Sequence, residues 1–447
     1  MSHAVQLCRA HATITGGAFT SPTRGSTNTV PRPTPKTMPP QGDPLLPPPT
    51  QRSNGLTPLP VLVQNPTGRF RVISTKPLPG TRWIDALVEA DCRVEICTAP
   101  KTILSPADIT ALIGDRCDGA IGQLTEDWSG ELFAALRRAG GRAYSNMADG
   151  FNNVDLAAAT RYGIPVGNTP GIASETTAEL AVALTLATAR RVVEADHFMR
   201  DGKYDGWLPT RFIGNPLKGR TLGILGAGRI GTAYARMMME GHKMNVMYYD
   251  LYQAKKLESF TAVYSSFLES LGEAPLTCTR AGSVEEVLTQ ADVISLHVIL
   301  DDSTRHLINM ERLELMKKDA ILINISRGPV IDESALVEHL KANPLFHAGL
   351  DVFEEEPKMQ PGLESLANAI VVPHIASALM FTRAGMATLA ACNVAGALQG
   401  FPVWPHHDDV MPFLDETASS LPQACPSIVN AKELGLAVMG TVNGSAK

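Results

Sequence analysis

Apolar and polar positions along the chain alternate between two periods. Short apolar and β-branched stretches at 70–74, 92–98, 119–123, 143–146 and 164–166 predict strands. Between them, 81–90, 105–113, 126–138 and 154–161 carry the apolar stripe of amphipathic helices. This alternation predicts a five-stranded doubly wound sheet with helices on both faces. Thr176 and Glu179 stand at capping-box spacing, which predicts one long helix reaching to about Met199. The strand–helix rhythm restarts at Thr221. It predicts a strand at 222–225, a helix at 230–239 and strands at 245–249, 293–298, 321–325, 348–352 and 370–372. Residues 253–285 are long for a connection, and 256–271 predict an extra helix within it. A final helix at 378–398 leads back to the first unit. The fold class is therefore α/β, with two doubly wound units and a cleft where the carboxyl ends of their strands meet.

The second unit opens on a turn that carries chemistry. Gly226, Gly228 and Gly231 stand in G-x-G-x-x-G spacing between its first strand and first helix. Gly226 permits a tight turn, Gly228 lets a pyrophosphate approach the backbone, and Gly231 lets the helix pack on the strand. The helix start offers N–H groups and partial positive charge to that pyrophosphate. Asp250, at the tip of the second strand, suits adenosine ribose hydroxyls and repels a 2′-phosphate. Strand, glycines, helix, strand and acid in this order predict binding of NAD, with NADH preferred and NADPH possible.

Three further residues stand at or just past predicted strand ends of the same unit: Arg327, Glu356 and His374. An arginine there can fork onto a carboxylate. A histidine can donate a proton near neutral pH, and a neighbouring glutamate holds it. Together they make a hydride-transfer site for a 2-oxo acid. Taken singly, Arg327 is equally a surface salt-bridge partner, His374 a core histidine, and Glu354 to Glu356 a solvated run.

Composition narrows the field. The chain has 447 residues, enough for two or three domains. Its net charge is −6, without a basic block that would suggest nucleic acid, and no apolar stretch approaches a membrane helix. Seven scattered cysteines without C-x-x-C suit a reducing compartment, and no metal-ligand pattern is present. Residues 1–57 are rich in proline and hydroxyls and poor in acids, the bias of an organellar leader.

The stretches STKPLPGTRWID, IGQLTEDW, GNTPGIASETTAE, GWLP, GILGAGRIGTAYARMM, INISRGPVID, GLDVFEEEP and VVPHIAS carry a resemblance from about Val61 to about Leu436. The chain resembles the D-isomer-specific 2-hydroxyacid dehydrogenases, and among them the hydroxypyruvate reductases (glycerate dehydrogenases) of plant and algal photorespiration. The resemblance implies a Rossmann NAD-binding domain (174–375) inserted in a flavodoxin-like substrate domain (58–173 and 376–447). It implies Arg327 as carboxylate binder, Glu356 as acidic partner and His374 as proton donor. It implies cofactor contacts at Thr177, Arg229, Ile230, Asp250, Ile325, Arg327, Asp351 and His374, and a substrate loop at Asp149 and Gly150. Asp149 departs from the Val or Ala commoner there. The implied reaction is reduction of hydroxypyruvate to D-glycerate, with glyoxylate or another 2-oxo acid as the alternative substrate and a non-catalytic NAD sensor as the alternative class. The implied assembly is a homodimer through an arm at residues 176–217. Plant relatives commonly end in Ser-Lys-Leu, whereas this chain ends Ser445-Ala446-Lys447. Leader and terminus together predict the mitochondrion, with the chloroplast as alternative and the peroxisome disfavoured.

Overall fold

In the computed structural model, the described residues are 59–440, apart from 407–408, 416 and 418–419. The leader through residue 57 and the terminal Ser445-Ala446-Lys447 lie outside them. The first half comprises β1 (Val61–Gln64), β2 (Phe70–Ser74), α1 (Arg82–Glu89), β3 (Cys92–Cys97), α2 (Pro106–Ile113), β4 (Gly119–Gly122), α3 (Gly130–Arg138), β5 (Ala143–Asn146), α4 (Leu156–Arg161) and β6 (Val166–Gly167). These strands form a six-stranded sheet in the order β1-β3-β2-β4-β5-β6. All neighbours are parallel except β1, which runs antiparallel to β3 and pairs Val61 with Cys97. The five expected strands are present, and β1 adds a sixth. The periodicity misses it because an edge strand need not bury its side chains, and Val61 and Leu62 are exposed.

Local chemistry sets the helix starts. At α2 the Ser105 side chain accepts the Asp108 N–H while the Asp108 carboxylate accepts the Ser105 N–H, and Pro106 follows in the first turn. Helix α3 starts at Gly130 rather than at 126. The Glu126 carboxylate takes the Gln123 N–H (3.0 Å) and the Trp128 indole N–H (3.2 Å), so this stretch closes into a turn.

The long helix expected from Thr176 is two helices, α5 (Ser174–Ala189) and α6 (Val192–Arg200). Ala173 occupies the N-cap without a side-chain cap, so the expected capping box is not formed. Thr176 instead meets the Thr382 hydroxyl at 2.6 Å. The break falls at Arg191, whose φ of 54° no helix continues. Its guanidinium is held at 2.8 Å by each carboxylate oxygen of Glu194.

The second sheet is built from β7 (Thr221–Leu225), α7 (Arg229–His242), β8 (Asn245–Tyr249), α8 (Lys255–Ser270), β9 (Cys278–Arg280), α9 (Val284–Gln290), β10 (Val293–Leu296), α10 (Met310–Leu315), β11 (Ile321–Asn324), α11 (Glu333–Ala342), β12 (His347–Leu350) and β13 (Ala369–Val371). Its order is β13-β12-β11-β10-β7-β8-β9, with every pair parallel. The chain winds outward from β7 in one direction and from β10 in the other, so a crevice opens at the carboxyl ends between them. Helix α8 fills the long connection as expected, whereas β9 has no sequence signal, being three residues long and mostly exposed.

Helix α12 (Met380–Gln399), followed by α13 (Met411–Leu414), returns to the first sheet. Its Ala387, Ala390, Ala391 and Ala395 join Leu87, Val94 and Ile121 in one core, while Ile73, Ile109, Trp128 and Phe133 build the core on the other face. The second sheet is thus spliced between β6 and α12.

Candidate active site

The turn after β7 has the three glycines in distinct surroundings. Gly226 has a φ of +94°, and a Cβ there would lie 2.8 Å from the carbonyl of His297. A Cβ on Gly231 would lie 2.2 Å from the carbonyl oxygen of Gly226, so helix and turn can touch only through glycine. A Cβ on Gly228 would meet nothing within 4 Å, which leaves that side of the turn open to a ligand. Arg229 and Ile230 begin α7, whose first-turn N–H groups have no partner within the helix. Asp250, just past β8, accepts the Ala227 N–H at 2.8 Å and the Tyr252 N–H at 2.8 Å, bracing the glycine turn from the neighbouring strand. The turn therefore fits a dinucleotide pyrophosphate.

Across the crevice, β11 ends at Asn324, whose side chain builds the next turn. Its carbonyl accepts the Ser326 N–H (3.0 Å) and hydroxyl (2.8 Å), and its amide donates to the Arg327 carbonyl (3.0 Å). Gly328 follows because a Cβ there would lie 1.9 Å from the Phe353 carbonyl. The Arg327 guanidinium donates to Ser326 O at 2.6 Å and to Asn152 Oδ1 at 3.3 Å. A Cβ on Gly150 would fall 1.8 Å from Arg327 Nη2, so the guanidinium lies directly on the loop after β5. Burial lowers the Arg327 pKa, against the opposing charges of Asp149 and Glu356.

That loop is held from below by amides. Asn146 donates to Gly150 O (3.0 Å) and to Asn153 Oδ1 (3.0 Å). Asn153 donates to Glu126 O at 2.8 Å, and Asn168 to Asp149 O at 2.7 Å. Because C=O and N–H point in opposite directions across a trans peptide, anchoring the Asp149 carbonyl turns the Gly150 N–H away from Asn168.

Beyond β12 and β13, three residues form one unit. His374 has a φ of 52°, and its N–H donates to Asp351 O (2.9 Å) and Val372 O (3.0 Å). The fully buried Asp351 carboxylate takes the Ile375 N–H at 2.6 Å and the Ala376 N–H at 3.0 Å. Those bonds fix the loop on both sides of His374. Nδ1 of His374 lies 3.1 Å from Glu356 Oε2, while Glu356 Oε1 accepts the Phe353 N–H at 3.1 Å. With Nδ1 on Glu356, Nε2 remains for another partner. Of the acidic run, Glu354 points elsewhere, to His306 Nε2 at 2.5 Å and Arg305 at 3.4 Å.

The family model for the NAD binding domain of D-isomer specific 2-hydroxyacid dehydrogenases matches residues 182–376. Glycerate dehydrogenase from Cucumis sativus is 66% identical over 378 residues, which is 85% of this chain and 99% of that protein. The Arabidopsis thaliana protein named glycerate dehydrogenase HPR, peroxisomal, is 65% identical over 381 residues, 85% of this chain and 98% of its own length. Among solved structures, the TT0316 protein of Thermus thermophilus matches with a TM-score of 0.64 and 37% identity, covering 74% of this chain and 97% of that one. The chain belongs to the D-isomer specific 2-hydroxyacid dehydrogenase family.

In this 2-hydroxyacid dehydrogenase, Arg327, Glu356 and His374 come together at the crevice, with Asp149 beside them. Burial pushes the Glu356 carboxyl up, but its hydrogen bond to His374 and the charges of His374 and Arg327 outweigh that, leaving it below its ordinary value. Thr177 on α5 and Ile325 after β11 are both buried. Asp351 is closed off from solvent, and its carboxylate is taken up by the Ile375 and Ala376 N–H groups. The sequence reading misses Asn324, Asn146, Asn153 and Asn152. Asn146 and Asn324 stand at strand ends and bond within a few residues, whereas Asn153 reaches Glu126 and Asn152 meets Arg327 only through the fold. His297, under the glycine turn, is also missed. Burial pushes its imidazole down to about 3, which keeps it neutral. Among the described residues, no group of three or more His, Cys, Asp or Glu could hold a metal ion, and no helix is long and apolar enough to cross a membrane.

Proposed function

We propose that this dehydrogenase reduces hydroxypyruvate to D-glycerate with NADH. The observation that carries the reading is Arg327 lying against Gly150 while a Glu356-held His374 faces the same crevice. The two relatives named glycerate dehydrogenase support the substrate. NADH, when bound, supplies a hydride to the carbonyl carbon. Gly226, Gly228, Gly231, Arg229 and Ile230 hold the pyrophosphate, Asp250 the ribose hydroxyls, and Thr177 and Ile325 line the nicotinamide end. Arg327 forks onto the substrate carboxylate, and the Gly150 N–H adds to that grip. His374 holds a proton on Nε2 for the carbonyl oxygen, and Glu356 on Nδ1 fixes the ring's orientation. Asp351 fixes the loop that aims it.

The Rossmann domain is residues 174–375, inserted in a substrate domain of 58–173 and 376–447, a division supported by the two separate sheets and the return of α12. A two-fold homodimer through residues 176–217 is supported by exposed Trp207, Leu208 and Ile213 in that arm. The basic, acid-poor leader supports entry into mitochondria or, second, chloroplasts. A leader–fluorescent protein fusion that stays out of both would rule this out. For the reaction, NADH oxidation is followed with hydroxypyruvate, glyoxylate and pyruvate. The expected order places hydroxypyruvate first in kcat/KM. Preference for glyoxylate would overturn the substrate, and no turnover of any 2-oxo acid would leave only an NAD-binding role.

A further inference from the structure

Asp149 is a carboxylate in a crevice that has to receive two anions. Its Oδ2 lies 3.8 Å from Nη2 of Arg229, so the pair joins the loop after β5 to the first residue of α7, one sheet to the other. Arg327 is the second cation whose charge acts on it. The backbone that carries the carboxylate is fixed: the Asp149 carbonyl is pinned by Asn168 at 2.7 Å and the next residue, Gly150, lies on the Arg327 guanidinium. Burial raises the Asp149 carboxyl above its ordinary value, against the pull of both guanidinia.

The proposed function assigns Arg229 to the cofactor pyrophosphate and Arg327 to the substrate carboxylate. Asp149 stands in the field of both cations, so two incoming anions must displace or repel it. We infer that Asp149 is a positioning residue that competes with the dinucleotide pyrophosphate for Arg229, tying the substrate loop to the glycine turn until the cofactor draws Arg229 away. Cofactor therefore binds more weakly than the same scaffold would allow without the carboxylate. This rests on the assignment of Arg229 to the cofactor.

The test is fluorescence titration of the full-length protein with NADH, for wild type, Asp149→Asn, Arg229→Gln and the double variant. Asp149→Asn keeps the side-chain size and removes the charge. It should tighten NADH binding about two- to fivefold at low salt, the range of partly exposed ion pairs. The gain should shrink in about 0.5 M NaCl, where such pairs are screened. It should vanish in the Arg229→Gln background, since the coupling needs both partners. Asp149→Ser, a smaller neutral replacement, should reproduce the gain if Asp149→Asn does not fold. Unchanged or weaker NADH binding in these variants, or a gain that survives Arg229→Gln, overturns the inference while leaving the cofactor assignment standing. A wild-type protein that does not bind NADH overturns both.

Discussion

Nδ1 of His374 lies 3.1 Å from Oε2 of Glu356, and the other oxygen of that carboxylate is fixed 3.1 Å from the Phe353 N–H. The glutamate is thus held in place by backbone before it holds the histidine. Its carboxyl also sits below its ordinary value, so it is ionised throughout the neutral range.

That arrangement sets a pH prediction. Reduction needs the imidazolium and oxidation the neutral ring, so reductive kcat/KM falls on the alkaline side and oxidative kcat/KM rises there. Glu356→Gln removes the carboxylate that holds Nδ1, so kcat should fall in both directions. His374→Ala should lose about 100-fold or more in kcat in both directions. Stability follows the same carboxyl. A lowered folded-state value contributes stability above the unfolded value of about 4.3, and that contribution is lost as pH falls through the folded value. The stability gap between wild type and Glu356→Gln should therefore narrow in acid. Wild-type kcat in Glu356→Gln, in both directions, would sink the pairing.

Arg327→Lys keeps the charge but loses the fork, along with the contact from Nε to Asn152 Oδ1 at 3.3 Å. A charge-assisted bidentate pair in a closed site is worth about 2–4 kcal/mol, or roughly 30- to 1000-fold in kcat/KM for the 2-oxo acid. The NADH dissociation constant should change far less. Near-normal kcat/KM in the variant would mean that another residue grips the carboxylate.

The strand ends that carry Arg327 and His374 were legible because buried parallel strands leave continuous apolar runs, and Gly226, Gly228 and Gly231 because their spacing follows from steric need. The edge strands β1 and β9 were not, since edge residues need not be apolar. The break between α5 and α6 depends on Arg191 adopting a positive φ beside Glu194, which helix periodicity does not encode. Asp351 reads locally as one acid among several. Its role appears only when the chain returns twenty-odd residues later with Ile375 and Ala376. The asparagine framework under Gly150 likewise joins Asn146 and Asn153 to Glu126, a closure set by tertiary placement.

Asp250 does two jobs, and its replacement should separate them. Its carboxylate is proposed to hold the ribose hydroxyls, and it also accepts the Ala227 N–H at 2.8 Å. Asp250→Ser removes the charge that repels a 2′-phosphate, so the ratio of NADPH to NADH kcat/KM should rise. Loss of the brace should weaken binding of both cofactors at the same time. Wild-type preference for NADPH, or an unchanged ratio in Asp250→Ser, would show that Asp250 does not face the ribose.

Asp351→Asn tests whether a buried acid outside the reacting set aims His374. The carboxylate accepts two N–H groups, from Ile375 at 2.6 Å and Ala376 at 3.0 Å. Burial raises its pKa, with the two N–H bonds and the charge of His374 pulling the other way. An asparagine can accept only one of those bonds and presents its own NH2 to the other N–H. One buried donor is then left unsatisfied, which costs about 1–3 kcal/mol. The His374 backbone, at a φ of 52°, loses part of what holds it in a conformation that non-glycine residues rarely adopt. Thermal stability should fall, and kcat should fall further than a merely destabilised but fully folded enzyme would show at a permissive temperature. Asp351→Asn should lower kcat across the whole pH range, because a displaced imidazole no longer sits on Glu356. The deciding comparison is kcat against pH at a temperature where both proteins are folded. A variant with lowered thermal stability but wild-type kcat and pH profile would confine Asp351 to stability and remove it from the positioning of His374.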